Sequence, residues 1–242
     1  MSQDEDSSRN PQYEGEEPDA ADFLPTPKRP PSGFELMPGA GDLWPGAVFF
    51  ALMTAASLLS WGDPGRFSWF DVSKLSITQS HEYWRLFTAL LGHGDFMHLL
   101  HNLPVYLFFA WILQGYFGLL ASVVLPLVIG IISNSLTVYF YDDHVRLLGA
   151  SGMIFGMVAL WLVLYVRFDR GNWWVKRVMR AVGFSLMVLF PQTYDPKVSY
   201  LAHFTGFVCG IVLGFAFLPV FQRRAPVLRG QSSDQYKDNL NG

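Results

Sequence analysis

This sequence has a single cysteine, few charged residues and no obvious secretory leader. Cys209 cannot form an internal disulfide, and its apolar, glycine-rich surroundings indicate a packed thiol. Only 15% of the 242 residues are charged and 51% are hydrophobic, which excludes an ordinary soluble domain of this size. A charged, proline-containing stretch precedes the first apolar run, so we expect no cleaved signal peptide. The composition predicts a polytopic membrane protein.

The charges are unevenly distributed along the chain. Residues 1–42 hold ten Asp or Glu and only three Lys or Arg. They contain too little apolar surface to offset the entropy cost of ordering them. We therefore predict a disordered acidic tail over residues 1–42, a membrane domain over 43–221 and a short tail over 222–242.

Six apolar segments lie between the two tails. A bilayer core of about 30 Å requires about 20 apolar residues per helix, and most of these segments approach that length. The fifth must begin among Trp173, Trp174 and neighbouring basic residues, which interfacial tryptophans and snorkelling cations permit. The predicted spans cover residues 43–61, 97–114, 119–140, 149–166, 177–191 and 201–221.

Orientation follows from the basic residues of the short loops. The loop between spans four and five carries five Lys or Arg, whereas the loop before span four carries only Arg146. Loops rich in Lys and Arg tend to stay in the cytoplasm, so both termini are predicted to be cytoplasmic. If the cell is prokaryotic, we expect the protein in the inner membrane. Residues 62–96 then form a long outer loop whose aromatic residues are expected at the membrane interface: Trp69, Phe70, Tyr83, Trp84 and Phe87.

Polar motifs lie at the outer ends of spans two, four and six. Ser151 begins span four, and His203 lies near the start of span six. Small residues spaced by four allow close helix packing in lipid, which predicts that these two spans are neighbours. A hydroxyl and an imidazole brought together in this way form an activated nucleophile. The small residues are Gly152 and Gly156 in span four, and Gly206, Gly210 and Gly214 in span six.

Span two contributes a second group of polar side chains. His98 and Asn102 are four residues apart and share a helix face. Together with a backbone N–H at the start of span four, they could stabilise the oxyanion of a tetrahedral intermediate. His93 and Asp95 lie close by in sequence, but no three-ligand helical spacing such as His-Glu-x-x-His is present, so we expect no metal.

Together these residues resemble the rhomboid family of intramembrane serine proteases over about residues 43–221. The resemblance implies an all-α, six-helix membrane bundle in which Ser151 is the nucleophile and His203 the general base. His98, Asn102 and the Ser151 N–H would form the oxyanion site. The other matching residues are expected to support the site: Trp84 and Arg85 in the membrane-associated loop, His93, Gly149, Gly152, Gly206 and Gly210. Phe155 is also expected near the site, at a position where some relatives carry a tyrosine.

The resemblance further implies single-span membrane proteins as substrates and membrane lipids as surroundings, with no cofactor, metal or nucleic acid. The sequence departs from the family pattern at Gln114, where relatives often carry a glutamate, and Pro104 removes a backbone donor just past Asn102. Whether an acid orients His203 stays open, with Asp142, Asp143 and Asp195 as candidates.

Two other functions remain compatible with the residues. The first is a catalytically silent rhomboid-like protein that binds transmembrane helices. The second is a transporter or proton channel that uses the histidines as a relay. The retention of every reacting residue argues against the first, and the lack of comparable ionisable groups in spans three and five argues against the second.

Overall fold

The computed structural model describes residues 38–63, 65, 68–169, 173–189 and 199–222. Most of both predicted tails, the candidate Asp195 and the end of the predicted fifth span therefore lie outside the described residues. The described part of the chain forms eight α-helices: α1 (Trp44–Trp61), α2 (Lys74–Thr78), α3 (Arg85–Thr88), α4 (Phe96–Phe117), α5 (Leu125–Phe140), α6 (Ser151–Phe168), α7 (Trp174–Leu189) and α8 (Tyr200–Ala216).

The predicted spans correspond to the six longer helices. Four helical segments among the described residues are long and apolar enough to cross a membrane: Ala40–Trp61, Phe96–Phe117, Leu120–Phe140 and Ser151–Phe168. The apolar α8 is shorter, at 17 residues. The 16-residue α7 is amphipathic. Its basic residues, which belong to the fifth predicted span, lie in its first turns. The chain is a helical membrane bundle, as predicted.

Helix α6 lies at the centre of the bundle. Buried residues make up 67% of its 18-residue membrane window, against 39–44% for the other three segments. It packs against α4, α5, α7 and α8, while α1 packs on α4 at the periphery. An interior position of this kind requires a helix that is apolar on nearly every face, and α6 has only Arg167 as a charged residue. The centre of the bundle is therefore the helix that begins at Ser151.

The predicted close packing of spans four and six is confirmed. A Cβ atom at Gly206 would overlap the backbone carbonyl of Gly152, and one at Gly210 would overlap that of Gly156. At Gly214 an added Cβ would meet the side chain of Val163, with almost no space between them. The backbones of α6 and α8 are in direct contact only because these positions carry no side chain.

The long loop between α1 and α4 contains α2 and α3. Ser73 caps α2, because its side-chain oxygen accepts a hydrogen bond from the Ser76 N–H at 3.2 Å. Val72 pairs with Leu147 through two backbone hydrogen bonds of 2.9 and 2.8 Å, which joins this loop to the segment before α6. Trp69, Tyr83 and Trp84 leave large apolar surfaces exposed.

Helix α4 runs continuously through Pro104 to Phe117. The departure at Gln114 has a structural counterpart, because its side-chain oxygen accepts a 2.6 Å hydrogen bond from the Ser122 hydroxyl. Gly118 then ends the helix with a φ of 73°, a conformation that favours glycine. The amide of Gln114 therefore provides the hydrogen-bond acceptor for Ser122, in the segment that leads to α5.

Candidate active site

Three helix starts and the end of α5 surround one cleft of about 510 Å³. The starts are those of α4, α6 and α8, as the sequence predicted from their polar motifs. Ser151 is part of the cleft wall, together with His98 from α4 and Ala202 from α8. The candidate nucleophile and one candidate oxyanion donor therefore face a common space.

The position of Ser151 is set by the residues just before it. Gly149 has a φ of +109°, a backbone conformation that side chains with a Cβ rarely adopt. Its N–H donates to the carbonyl of Ala89 at 2.8 Å, which ties the turn to the end of the long loop. Helix α6 then begins at Ser151, so the Ser151 N–H lies in the first turn, where backbone donors have no intrahelical acceptor. This N–H is available for an oxyanion.

His98 is placed by the start of α4. Asp95 caps this helix, and its carboxylate accepts a 2.9 Å hydrogen bond from the His98 N–H. The His98 ring lies against the backbone of Gly149, where a Cβ would be only 2.7 Å from Cε1 and 2.8 Å from Nε2. Glycine at position 149 is thus needed both for the turn and for the approach of this imidazole.

Asn102 lies one turn further along α4 and is 2% exposed. Its side-chain amide donates to the carbonyl of His98 at 3.0 Å. One of its two amide hydrogens is therefore engaged within the helix, which leaves the second for another acceptor. Asn102 does not line the cleft, whereas His98 does.

His203 is buried against α6. Its ring stacks on the ring of Phe155 at a centroid distance of 3.9 Å and an angle of 14°. Phe155 lies one helical turn after Ser151, so the imidazole lies beside the first turn of α6. Neither ring nitrogen of His203 has a hydrogen-bond partner among the described residues, Ser151, Asp142 and Asp143 included. The serine–histidine hydrogen bond is therefore not formed in this structure.

His93 lies behind His98 and is fully buried. The two rings meet edge to face, with centroids 5.0 Å apart and an angle of 73°. Burial, reinforced by the charge of His98, lowers the pKa of His93 to about 3. His93 is therefore a neutral imidazole that packs against the His98 ring.

Polar residues of α5 complete the site, and the sequence interpretation did not single them out. Ser133 donates to the Ala202 carbonyl at 2.8 Å, and its Oγ lies 3.0 Å from Oγ1 of Thr205. Asn134 lines the cleft and donates to the carbonyl of Leu86 at 2.9 Å. The sequence signal that could have identified them is the presence of polar side chains within an apolar span, because such groups persist in lipid when they have partners or functions.

The tryptophan–arginine pair lies in the long loop. Arg85 donates to the Glu82 carboxylate at 2.7 Å and to the Asp71 carboxylate at 3.3 Å. Its guanidinium also lies 5.1 Å from the centre of the Trp84 ring. These contacts hold the loop together, and none of them reaches the cleft.

Across the part of the chain that the structure describes, no three His, Cys, Asp or Glu side chains converge as metal ligands would. The histidines near the cleft lie at or near helix starts, where they pack against aromatic rings and, for His98, against the backbone of Gly149. The site therefore offers hydroxyl, imidazole and amide groups, the set that acyl transfer uses.

The sequence of this chain was compared with those of known protein families. Residues 80–220, more than half of the chain, match the Rhomboid domain. The chain belongs to the rhomboid family. The rhomboid match begins inside the long loop, so α1 lies outside it, whereas α4 to α8 and every candidate catalytic residue lie within it.

Individual rhomboid proteins show the same relationship. The chain is 32% identical over 147 residues to "Putative rhomboid protease YdcA" of Bacillus subtilis, a match that covers 59% of this chain and 71% of that protein. It is 30% identical over 152 residues to "RHOMBOID-like protein 1" of Arabidopsis thaliana, covering 61% and 37%. The match with "RHOMBOID-like protein 2" of that plant is 27% identical over 146 residues and covers 59% and 44%. The chain thus spans less than half the length of these plant relatives.

Proposed function

We propose that this rhomboid protein is an intramembrane serine endopeptidase that cleaves peptide bonds in or near transmembrane segments. One observation carries the proposal: Ser151 forms part of the cleft wall in the first turn of α6, directly across a glycine seam from the helix that carries His203. A serine at a helix start in a cleft bordered by an imidazole is suited to nucleophilic attack on a carbonyl.

In the proposed reaction His203 accepts the proton of the Ser151 hydroxyl. The Ser151 oxygen then forms a bond to the substrate carbonyl carbon, whose oxygen becomes negative. When the carbon–nitrogen bond breaks, His203 returns the proton to the leaving amine, and water later releases the acyl group by the same steps. Neither nitrogen of His203 is held by a described residue, so turning the ring toward Ser151 breaks no hydrogen bond. Catalytic hydrogen bonds are often long in free enzymes and shorten with substrate bound.

The oxyanion is assigned to donors on two helices. The Ser151 N–H and the His98 ring border the same cleft, and the N-terminal end of α6 adds the positive end of its helix dipole. The second amide hydrogen of Asn102 is the remaining proposed donor, although Asn102 does not line the cleft in this structure. Each donor of this kind contributes about 3 to 4 kcal/mol to lowering the barrier.

The proposed substrates are single-span membrane proteins, presented from the surrounding lipid as helices that unwind locally at the cleft. The protein itself is proposed to be multi-pass, with both termini in the cytoplasm. The cleft would then open toward the outer face, where water can enter for deacylation.

The experiment uses the full chain in liposomes with a tagged single-span polypeptide. We expect Ser151→Ala and His203→Ala to reduce cleavage by at least about 10³-fold, because the nucleophile and its base act as a unit. Ser135→Ala is the matched control, since among the described residues the Ser135 hydroxyl bonds only to the Ile131 carbonyl of its own helix. Wild-type cleavage by Ser151→Ala would show that the assignment is wrong.

Labelling by a fluorophosphonate separates this function from the alternative of a catalytically silent helix-binding protein. An activated Ser151 reacts with the probe, and Ser151→Ala does not. A wild-type chain that retains its fold, binds the single-span polypeptide and takes no label would favour the silent protein.

A further inference from the structure

The first helix contacts the site although it lies outside the region that matches the Rhomboid domain. Two side chains of α1 contact His93. The Ser57 hydroxyl lies 3.2 Å from Nδ1 of the ring, and Nε1 of Trp61 donates to the His93 backbone carbonyl at 2.7 Å. Ser57 is completely buried, so water does not replace this contact. His93 is therefore held by α1 at both its ring and its backbone.

The hydrogen bonds of Ser57 determine which edge of the His93 ring faces α1. The Ser57 hydroxyl oxygen lies 3.3 Å from the Leu91 carbonyl oxygen and 3.2 Å from Nδ1 of His93. The tautomer of the ring sets which atom donates in the Ser57–His93 bond, and the bond forms with either donor. The Nδ1 edge of the ring is thus turned toward α1, and the Nε2 edge is turned away from it.

The orientation of His93 is transmitted to His98. The His98 ring contacts the His93 ring edge to face and also lies against the backbone of Gly149. A side chain packed against two fixed groups has few alternative rotamers. A change in the tilt of His93 therefore moves His98 relative to Ser151, since His98 and Ser151 border the same cleft.

We propose that Ser57 is a positioning residue of the active site, which acts through His93 to hold the His98 ring where the oxyanion forms. The proposal rests on the proposed function, in which His98 donates to that oxyanion. It gives α1 a role in catalysis that neither the apolar character of this helix nor the domain match indicates.

The first test compares Ser57→Ala with Ser60→Ala in liposomes containing the tagged single-span polypeptide. Ser60 is the matched control: it is also a buried serine of α1, but its hydroxyl donates to the Ser57 carbonyl at 2.8 Å and does not contact His93. We expect Ser57→Ala to lower kcat roughly ten-fold with KM changed less than about two-fold, because a displaced donor weakens transition-state stabilisation alone. Ser60→Ala should leave kcat near the wild-type value. Equal losses in the two variants would refute the proposal.

A double-mutant cycle tests whether Ser57 acts through His93. In a His93→Gln background, Ser57→Ala should change kcat by less than about two-fold, since the partner of the hydroxyl is already absent. A full ten-fold loss in that background would show that Ser57 acts by another route. Thermal unfolding in detergent confirms that each variant is folded.

Imidazole NMR provides a measurement that does not depend on turnover. With ¹⁵N-labelled histidine, the ring signals of His98 are identified by their loss in His98→Gln. We expect them to shift in Ser57→Ala and to remain in place in Ser60→Ala. Unchanged His98 signals in Ser57→Ala would overturn the positioning role even if Ser151-dependent cleavage is present. Shifted signals in a chain that neither cleaves nor takes the fluorophosphonate label would instead overturn the proposed function.

Discussion

At the residue scale, the site depends on positions that carry no side chain. Gly206 and Gly210 let the helix of His203 lie directly on the helix of Ser151, and Gly149 admits the His98 ring. Each of these glycines costs about 0.5 to 1 kcal/mol of chain entropy relative to alanine, which close packing of the backbones offsets.

Gly206→Ala should destabilise the protein and reduce cleavage. The added methyl group would overlap the Gly152 carbonyl, and its carbon would lie only 2.7 Å from the Gly152 carbonyl carbon. Because both groups are backbone, the helices must separate, at a cost of about 1 to 3 kcal/mol. Unfolding by heat or denaturant in detergent micelles measures the loss.

Gly183→Ala is the matched control for this substitution. Gly183 lies in α7, and a Cβ there would meet no atom within 4 Å. Alanine should stabilise that helix by about 0.5 to 1 kcal/mol. If both variants unfolded at the same temperature, the crossing of α6 and α8 would not depend on Gly206.

At the scale of elements, the segment before α6 is fastened to the long loop by a buried carboxylate. Asp71 is 3% exposed and forms ion pairs with Arg85 at 3.3 Å and Arg146 at 3.2 Å. The adjacent residues Val72 and Leu147 pair through their backbones. The long loop and the segment before α6, which are distant in sequence, are thus joined into one support next to Ser151.

The stability of this support should depend on pH through Asp71. Burial raises the pKa of the Asp71 carboxyl, and this effect outweighs the opposing attraction of Arg146 and Arg85. A raised folded-state pKa contributes stability that is fully present below the unfolded value of 3.8 and is lost as the pH rises through the folded value.

The measurement compares the Tm of the wild type with that of Asp71→Asn, in which this position cannot titrate. We expect the wild type to gain in Tm relative to the variant as the pH is lowered from about 7 to about 4. A Tm difference that is constant, or that changes in the opposite direction, would contradict the raised pKa.

At the scale of the whole molecule, the cleft and the basic residues Arg167 and Arg177 lie at opposite ends of α6. Ser151 begins this helix at the cleft, and Arg167 lies in its last turn. Arg177 of α7 donates to the carbonyls of Val166 and Asp169, which holds the basic start of α7 at the same end. By the positive-inside rule, we expect the end with Arg167 and Arg177 to face the cytoplasm.

A cysteine-labelling experiment tests the orientation. In a Cys209→Ala chain, a cysteine at the exposed position His144, near the cleft, should react with a membrane-impermeant maleimide added to intact cells. A cysteine at the exposed position Lys176 should react only after the membrane is opened. The reverse pattern would show that the cleft faces the cytoplasm.

The sequence determined the helices and the close-packed glycines of α6 and α8, and it singled out the candidate reacting groups. Apolar length, helical periodicity and residue chemistry are local properties, and α6, α8, Ser151 and His203 were all recognisable from them. The catalytic roles of Ser151, His203, His98 and Asn102 are predictions, which the Ser151→Ala and His203→Ala variants test first.

Only the tertiary structure decided which distant groups support the site. Ser57 of α1 and Ser133 of α5 lie 36 and 69 residues from the groups they contact, His93 and Ala202. A hydroxyl in an apolar run can be noticed in the sequence, but its partner cannot be read there, because the hydroxyl is equally compatible with a carbonyl of its own helix. The relative rotation of packed helices selects the partner, and that rotation depends on all the side chains between them.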